Sequence, residues 1–262
     1  MIPGEEASMQ DHLLWGRRET LGAFLSAFAA VALVREARGA ARSGEAAVRR
    51  WLDGQQDIAE ALAAGRLSGA RWAAEVERLA REVEVPALMA VVNRSEISRA
   101  GPPFGNDPQK RLIRFRDAAG QPRRLAYGAA LFDFQPHNVI TPHGHRHMVS
   151  AHLVVAGRFR VRNFDRLGDE GGAMRLRPTR DYVARTGQVS TMCSERDNVH
   201  WFVPQGGPAT TFDVVISGLD PGAPDHLIQA VDPLRARRRA DGTLLAPVIG
   251  FAESSRRYTA AI

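Results

Sequence analysis

The stretch that decides the fold is PHGHRHMVSAHLVVAG, which occupies residues 142–157. Half of the chain's eight histidines lie between positions 143 and 152. Alternation and β-branched residues on both sides are typical of two strands that meet at the histidines. Side chains at i and i+2 of a strand share one face, so His143 and His145 can bind a single ion together. Imidazole suits iron, zinc, copper or nickel, and His200 is the candidate for a third ligand.

The rest of the chain divides into a helical part and a part made of strands. Apolar residues at helical spacing, such as Trp72, Val76 and Leu79, predict helices within residues 44–92. From about residue 111 the pattern alternates, with turn residues between short apolar runs. Short strands at this density, with no helices between them, predict an antiparallel sandwich or barrel.

One family shares the spacing of this stretch. His143-x-His145, four residues, Ser150, six residues and Gly157 resemble the first motif of the cupins, except that the cupin motif has a glutamate where this chain has Ser150. His200 matches the histidine of the second cupin motif. The resemblance covers roughly residues 110–220. It implies a mainly β fold, a cupin-type antiparallel jelly-roll barrel preceded by an N-terminal helical region, with a metal bound by the three histidines.

A narrower resemblance concerns the chemistry. Three histidines without the glutamate, together with residues 197–202 and 212–215, are similar to the thiol dioxygenases of the cysteamine dioxygenase and plant cysteine oxidase group. This resemblance implies a non-haem iron(II) enzyme that adds dioxygen to a small thiol. Charge favours the same class, because three neutral histidines leave a divalent ion its full +2 charge for an anionic chelating substrate.

Other functions stay open for a metal site of this kind. One is a metal cupin of different chemistry, such as a ring-cleaving dioxygenase, or an isomerase or hydrolase that uses zinc, manganese, nickel or copper. Another is a non-catalytic cupin that binds a small molecule. The partners expected are therefore a small-molecule substrate and dioxygen, with a homodimer as the candidate assembly.

Two further histidines are candidates for the site. His147 shares strand parity with His143 and His145 and competes with them as a ligand, although the cupin spacing favours the earlier pair. His152 shares parity with Ser150, so it is expected to point inward. It is a candidate catalytic residue that moves a proton or orients a ligand, a fourth metal ligand, or a hydrogen-bonded histidine of the barrel core.

Four other side chains are candidates for the pocket. Tyr127 could donate a hydrogen bond to bound oxygen or substrate, and Arg114 and Arg116 could hold a substrate carboxylate in a bidentate grip. For all three, an outward-facing structural role is the alternative. Cys193 is either redox-active or a small buried apolar residue.

The predicted organisation has four parts. They are a twin-arginine signal or N-terminal helix at 1–40, a helical region at 41–100, a cupin β-barrel at 101–225, and a C-terminal tail that packs on the barrel at 226–262.

The first 40 residues raise the question of localisation. Arg17 and Arg18 precede an uncharged run, Thr20–Val34, which is too short to span a membrane but suits a signal peptide. This pattern resembles a twin-arginine export signal and predicts a periplasmic enzyme with no stable membrane span in its mature form. The alternative is a buried N-terminal helix of a cytoplasmic protein.

Composition excludes some partners and sites. The formal net charge is +6, but the basic residues are spread over the whole chain, without the aromatic-studded basic stripe of a nucleic-acid-binding protein. Acidic residues on the predicted helices also oppose a DNA-binding role, so no nucleic acid is expected. A single cysteine, Cys193, excludes an internal disulfide and a multi-cysteine metal site.

Overall fold

The computed structural model describes residues 43–117, 119–220, 222 and 227–259. The chain divides into two compact units, Met1–Ala46 and Ala47–Ile262. Of the first unit, residues 43–46 are described, and they are helical. The predicted export signal at 1–40 lies outside the described residues. Within the described ranges, no helix combines the length and the apolar character needed to cross a membrane.

Helices come first in the described part of the chain. They are α1 (residues 43–63), α2 (Gly69–Ala80) and α3 (Val85–Val92). The hydroxyl of Ser68 accepts a hydrogen bond from the backbone N–H of Arg71 and so caps the start of α2. One face of α2 is buried and includes Trp72 and Val76, as the helical spacing predicts.

Strands make up most of the described chain beyond α3. In chain order they are β1 (Glu96–Arg99), β2 (Gln109–Arg114), β3 (Gly128–Phe134), β4 (Ile140–Arg146), β5 (Val149–Ala156), β6 (Arg158–Glu170), β7 (Ala173–Arg185), β8 (Val189–Met192), β9 (Val199–Pro204), β10 (Ala209–Ile216), β11 (Leu227–Ala230), β12 (Arg237–Arg238) and β13 (Leu244–Pro247). A short helix, α4 (Phe251–Arg257), comes after β13.

Among the described residues the strands form two antiparallel sheets. The first sheet has the order β1-β2-β3-β10-β5-β8, and the second has the order β11-β4-β9-β6-β7-β13-β12. The chain crosses repeatedly between the sheets, because β3, β5, β8 and β10 belong to the first, and β4, β6 and β9 to the second. This arrangement confirms the predicted jelly-roll barrel preceded by helices.

The outer face of the first sheet packs against the helices. Trp51 of α1 meets Phe212 of β10 edge to face, with ring centroids 5.7 Å apart. Trp72 belongs to the same apolar cluster and is completely buried, as is Leu131 of β3. The two tryptophans therefore stabilise the join between helices and barrel.

The space between the sheets is apolar at one end and polar at the other. Phe134 and Phe159 meet with ring centroids 4.7 Å apart, and Phe202 packs 6.0 Å from Phe159. Phe202 also lies 5.4 Å from the ring of His200 and 5.0 Å from that of His152. The phenylalanine rings thus form an apolar layer in contact with His152 and His200.

The described C-terminal residues are joined to the second sheet. β11 pairs with β4, and β13 pairs with β7. Tyr258 is completely buried, its ring 5.0 Å from that of Trp201, and its hydroxyl donates a 2.6 Å hydrogen bond to Asp232. The sheets therefore extend beyond both bounds predicted for the barrel, 101 and 225. Strands β11 to β13 follow residue 225, and β1 begins before residue 101.

The glycine that ends the decisive stretch has a steric role. Gly157 adopts φ +72°, and a Cβ added there would lie 2.7 Å from both the Pro208 carbonyl oxygen and the Ala209 Cβ. The turn between β5 and β6 therefore needs glycine both for its backbone conformation and for the close approach of the chain before β10.

We expect Gly157→Ala to destabilise the protein by more than the about 1–3 kcal/mol that a left-handed non-glycine residue costs, because the methyl group also clashes with backbone. Gly187→Ala is the matched control, since its φ is +88° but nothing lies within 4 Å of its added Cβ. Urea unfolding of both variants measures the difference. Equal losses of stability would show that the close contact at Gly157 contributes nothing.

Candidate metal centre

Neighbouring strands of the second sheet bring the predicted ligands together. His143 and His145 lie on β4 and share a face, and Gly144 between them points the other way, towards Val199. His200 lies on β9 directly opposite His143 in the strand register. The backbone N–H of His145 donates to the Asn198 carbonyl at 2.9 Å, which holds β4 and β9 in this alignment.

The three imidazole rings converge on one point. The Nε2 atom of His200 lies 3.2 Å from the Nε2 atom of His143 and 3.2 Å from that of His145. One ring nitrogen from each of the three lies within 4.8 Å of the other two, and in the described part of the chain no other group of three or more ligand residues is so placed. His145 and His200 are buried and His143 is half-buried.

The hydrogen bonds of the outer ring nitrogens show that this point suits a cation. His143 Nδ1 lies 2.7 Å from the Thr141 carbonyl oxygen, and a carbonyl can only accept, so Nδ1 carries the proton. His145 Nδ1 lies 3.0 Å from the thioether sulfur of Met148. This sulfur is a weak acceptor and cannot donate, so Nδ1 of His145 also carries the proton. The Nε2 atoms of both rings therefore present lone pairs to the shared point. A divalent transition metal fits this donor set.

Two of the rings, those of His143 and His200, are also held in the neutral form that ligation requires. Burial lowers the pKa of His143 to about 4, and the nearby His152 acts in the same direction, against the opposing effect of the Thr141 carbonyl. Burial, followed by the neighbouring histidines, lowers the pKa of His200 well below its usual value. Both side chains are thus neutral at neutral pH, with one ring nitrogen free of a proton, and need lose no proton to bind a metal.

A second polar group faces the histidine cluster from the first sheet. His152 Nδ1 donates a 2.7 Å hydrogen bond to Asp213 Oδ2, and the Ser150 hydroxyl lies 3.0 Å from His152 Nε2. The pairing of β5 with β10 sets His152 directly opposite Asp213, and both are buried. The ring of His152 is 4.9 Å from that of His200. Because Nδ1 keeps its proton and donates it to the carboxylate in a hydrogen bond, Nε2 is free to accept a hydrogen bond from the serine hydroxyl, and the three groups form a hydrogen-bonded chain.

The structure places the two further candidate histidines, His147 and His152, in different surroundings. His147 is at the turn between β4 and β5 with φ 60°, and its Nδ1 lies 3.3 Å from Asp220 rather than beside the other rings. Strand parity does not apply to it, because the strand ends before it. His152 lies beside the three-histidine group, and its Nε2 is hydrogen-bonded to Ser150. This position agrees with proton transfer better than with ligation.

Three of the predicted pocket residues lie elsewhere. Tyr127 is buried in the apolar cluster shared with the helices, and its hydroxyl has no hydrogen-bond partner among the described residues. Arg114 is exposed at the end of β2, opposite Glu96 of β1. Arg116 donates to the Gly120 carbonyl at 2.7 Å, at the surface. Tyr127, Arg114 and Arg116, which are expected from the sequence to contact substrate, do not line the cavity at the histidines.

Cys193 is also remote from that cavity. It is completely buried in the cluster between the helices and the first sheet. Burial, followed by a hydrogen bond with Glu195, raises the pKa of its thiol to about 11. A thiol of this kind is unreactive at neutral pH, which agrees with the expectation of a buried apolar residue.

A cavity of about 680 Å³ opens above the histidines. Its lining includes the three histidines, Ser150, His152 and Asp213. Two more charged residues, Asp107 and Lys110, line its wall, and burial raises the pKa of Asp107 to about 6. Its apolar lining includes Phe104, Phe132, Ile140, Met148, Ile228 and Phe251. Sequence patterns do not single out Asp107, Lys110 or Asp213, because only the folded sheets bring them to the cavity.

The strand order and the spacing from His143 to Gly157 identify the fold. It is a cupin-type barrel. Neither the family models nor the curated proteins searched match the chain. Solved structures with a similar fold include CapF, a capsular polysaccharide assembling protein of Staphylococcus aureus, with 17% identity, a TM-score of 0.34, and coverage of 50% of this chain but only 34% of that one.

Two shorter proteins also match. KdgF from Halomonas sp. has 17% identity and a TM-score of 0.30, and the match covers 47% of this chain and 86% of that one. An uncharacterized conserved protein with a double-stranded β-helix domain from Klebsiella pneumoniae has 16% identity and a TM-score of 0.31, covering 48% and 83%. At these values the likeness carries no argument about activity or substrate.

We expect His200→Ala to abolish binding of one equivalent of divalent metal, because it removes the ligand that lies between the other two. His147→Asn is the control, since asparagine tolerates the left-handed conformation and His147 is outside the cluster. The metal content of both variants is measured by elemental analysis, and their metal affinity by titration of the metal-free proteins with cobalt(II). Full metal binding by the His200 variant, or its loss in the His147 variant, would contradict the assignment.

Proposed function

We propose that this protein is a metal-dependent cupin enzyme, a non-haem iron(II) dioxygenase that adds dioxygen to a small thiol. The observation that carries the proposal is a cluster of three histidines, without a carboxylate among them, that faces a cavity shared with a Ser–His–Asp chain. Iron(II), when held by His143, His145 and His200, supplies a binding site for an anionic substrate and for dioxygen.

Charge favours an anionic head group on the substrate. A site of two histidines and one carboxylate carries a net charge of +1 with a divalent ion, whereas three neutral histidines leave +2. In this chain Ser150 stands where the cupin motif has its glutamate, so no carboxylate occupies that ligand position. A thiolate supplies it, and so does a catecholate or enolate.

The Ser–His–Asp chain is suited to removing the proton of a thiol. The Ser150 hydroxyl lines the cavity and can take a proton at Oγ while its own hydrogen passes to His152 Nε2. His152 then becomes positively charged, and the buried carboxylate of Asp213 stabilises that charge through the 2.7 Å bond to Nδ1. The substrate can therefore arrive as a neutral thiol and bind as a thiolate.

The walls of the cavity limit the access of water. Phe202 lies beneath His152 and His200, and the aromatic residues Phe132 and Phe251 line the cavity above. A low-dielectric surrounding strengthens the attraction between an anionic head group and the cationic centre. The same surroundings protect a reactive sulfur intermediate from unwanted reactions with solvent.

Oxygen uptake by the iron-loaded protein tests the proposal. Cysteine, cysteamine and 3-mercaptopropionate are the thiols, and a catechol and a flavonol are the oxygen-donor comparisons. We expect uptake with at least one thiol, matched by formation of its sulfinate. Uptake with the catechol or flavonol alone would assign a ring-cleaving dioxygenase instead. No uptake at full iron occupancy would refute dioxygenase activity.

Two variants of Ser150 provide the control for the charge argument. Ser150→Glu restores the carboxylate and should weaken thiolate binding by about tenfold or more, since it lowers the net charge of the centre. Ser150→Gln has nearly the same volume without the charge. Both variants lose the serine hydroxyl, so the difference between them isolates the effect of charge. Equal thiolate affinities in the two variants would refute that effect.

We expect Asp213→Asn to lower kcat/KM for the thiol substrate by about 10²-fold, the usual scale for loss of acid–base assistance. The substitution removes the carboxylate that stabilises protonated His152 and leaves the three ligand histidines untouched. Iron content and melting temperature are measured beside the rate. An unchanged rate, or a lower rate fully explained by lost iron, would exclude Asp213 from proton transfer.

A further inference from the structure

We propose that Lys110 binds a second anionic group on the substrate, so that the cavity selects thiols that also carry a carboxylate or a similar anion. The assignment of the first anionic group, at the histidines, rests on the proposed function. Lys110 is the chain's one lysine among 35 basic residues. It lines the cavity that contains the three histidines and the Ser–His–Asp chain.

The strand register explains why Lys110 faces the cavity. Lys110 on β2 lies directly opposite Phe132 on β3, and Phe132 lies opposite Thr211 on β10. Its ammonium nitrogen lies 5.5 Å from the centroid of the Phe132 ring, which also lines the cavity. Asp213, two residues from Thr211 on the same strand, shares this inner face. The lysine is therefore on the same sheet surface as the proton-transfer chain.

The positive charge of Lys110 has no counter-charge within the described residues. The next residue, Arg111, forms a bidentate ion pair with Asp133, with one contact of 2.9 Å. Lys110 forms no ion pair in the described ranges, and its contact there is with the face of Phe132. A ring face attracts a cation only weakly compared with a carboxylate. The ammonium group thus keeps most of its capacity for an anion from solution.

Asp107 is the carboxylate in the cavity wall that could compete. Asp107 and Lys110 form no ion pair in the described ranges, so the ammonium group is not in direct contact with this carboxylate. The other carboxylate of the wall, Asp213, is bonded to His152.

These positions define the class of ligand. The histidine cluster favours one anionic head group, Lys110 offers a second cationic contact, and the lining between them is largely apolar, with Phe132 and Ile140 among its members. A complementary ligand has a chelating anionic head, a short apolar chain and an anionic tail. Lysine offers a compact point charge for such a tail, without the two-point geometry of arginine. The role that strand parity predicts for Arg114 and Arg116 falls to Lys110 instead.

Binding to cobalt(II)-loaded protein tests this inference without relying on turnover. The probes are 3-mercaptopropionate and cysteamine, which share a thiol and a two-carbon chain but end in a carboxylate or an ammonium group. Comparing the ratio of their dissociation constants between variants removes the contribution of the metal–thiolate bond, which each probe makes equally in every variant. We expect the wild-type protein to prefer 3-mercaptopropionate by about tenfold, the scale of one charge-assisted contact.

Substitutions at Lys110 should change this ratio in a graded way. Lys110→Arg keeps the preference, Lys110→Met abolishes it while retaining the apolar stem against Phe132, and Lys110→Glu reverses it in favour of cysteamine. Arg114→Met is the matched control, because it removes one positive charge from the same strand outside the cavity, and it should leave the ratio unchanged. A ratio that does not depend on residue 110 would overturn the inference.

A second pair of probes separates this inference from the thiol proposal. 3,4-Dihydroxybenzoate and dopamine share a catechol and differ in the charge of the tail. If neither thiol binds but the catechol ratio depends on Lys110, the thiol substrate is refuted and the anion contact stands. If thiols bind with ratios insensitive to Lys110, the anion contact is refuted and the thiol substrate stands. Failure of all four probes to bind at full cobalt occupancy overturns the inference.

Discussion

The site depends on one backbone pairing, that of His143 on β4 with His200 on β9. Residues directly opposite in an antiparallel pair have Cβ atoms about 5 Å apart, close enough for their rings to converge. The i, i+2 spacing then adds His145 on the same face, and the Asn198 carbonyl anchors its backbone at 2.9 Å. A slip of one residue between these strands would turn His200 to the outer face and leave only two of the three rings together.

Each of the two sheets contributes a different group of side chains to the site. The second sheet carries the three histidines that converge at 3.2 Å, and the first sheet carries Ser150, His152 and Asp213 on its inner face. Closing the barrel brings the ring of His152 to 4.9 Å from that of His200. Neither sheet alone therefore contains both the three-histidine cluster and the Ser–His–Asp chain.

This concentration of polar groups has a cost in stability. Among the described residues, Asp213 Oδ1 and His200 Nδ1 are buried without a hydrogen-bond partner, and each such atom costs about 1–3 kcal/mol. Burial of His143 and His200 also disfavours their protonated forms, so their lowered pKa values cost stability as the pH falls below the ordinary pKa of histidine. The apolar layer around Phe202 and the cluster around Trp72 lie next to the site and offset this cost through buried apolar area.

The sequence by itself determined the kind of fold and the common face of two histidines. Spacing within one strand is a local property, so it correctly placed His143 and His145 on one face, and the motif ending at Gly157 indicated the barrel. Tertiary structure decided the rest, because pairing between strands is not local. The register of β5 with β10 joins His152 to Asp213, and the register of β2 with β3 brings Lys110 over Phe132. Alternation placed Arg114 on a shared face but could not show that β2 ends beyond the cavity. Parity likewise failed for His147, since the chain turns there with φ 60° and the period of two no longer holds.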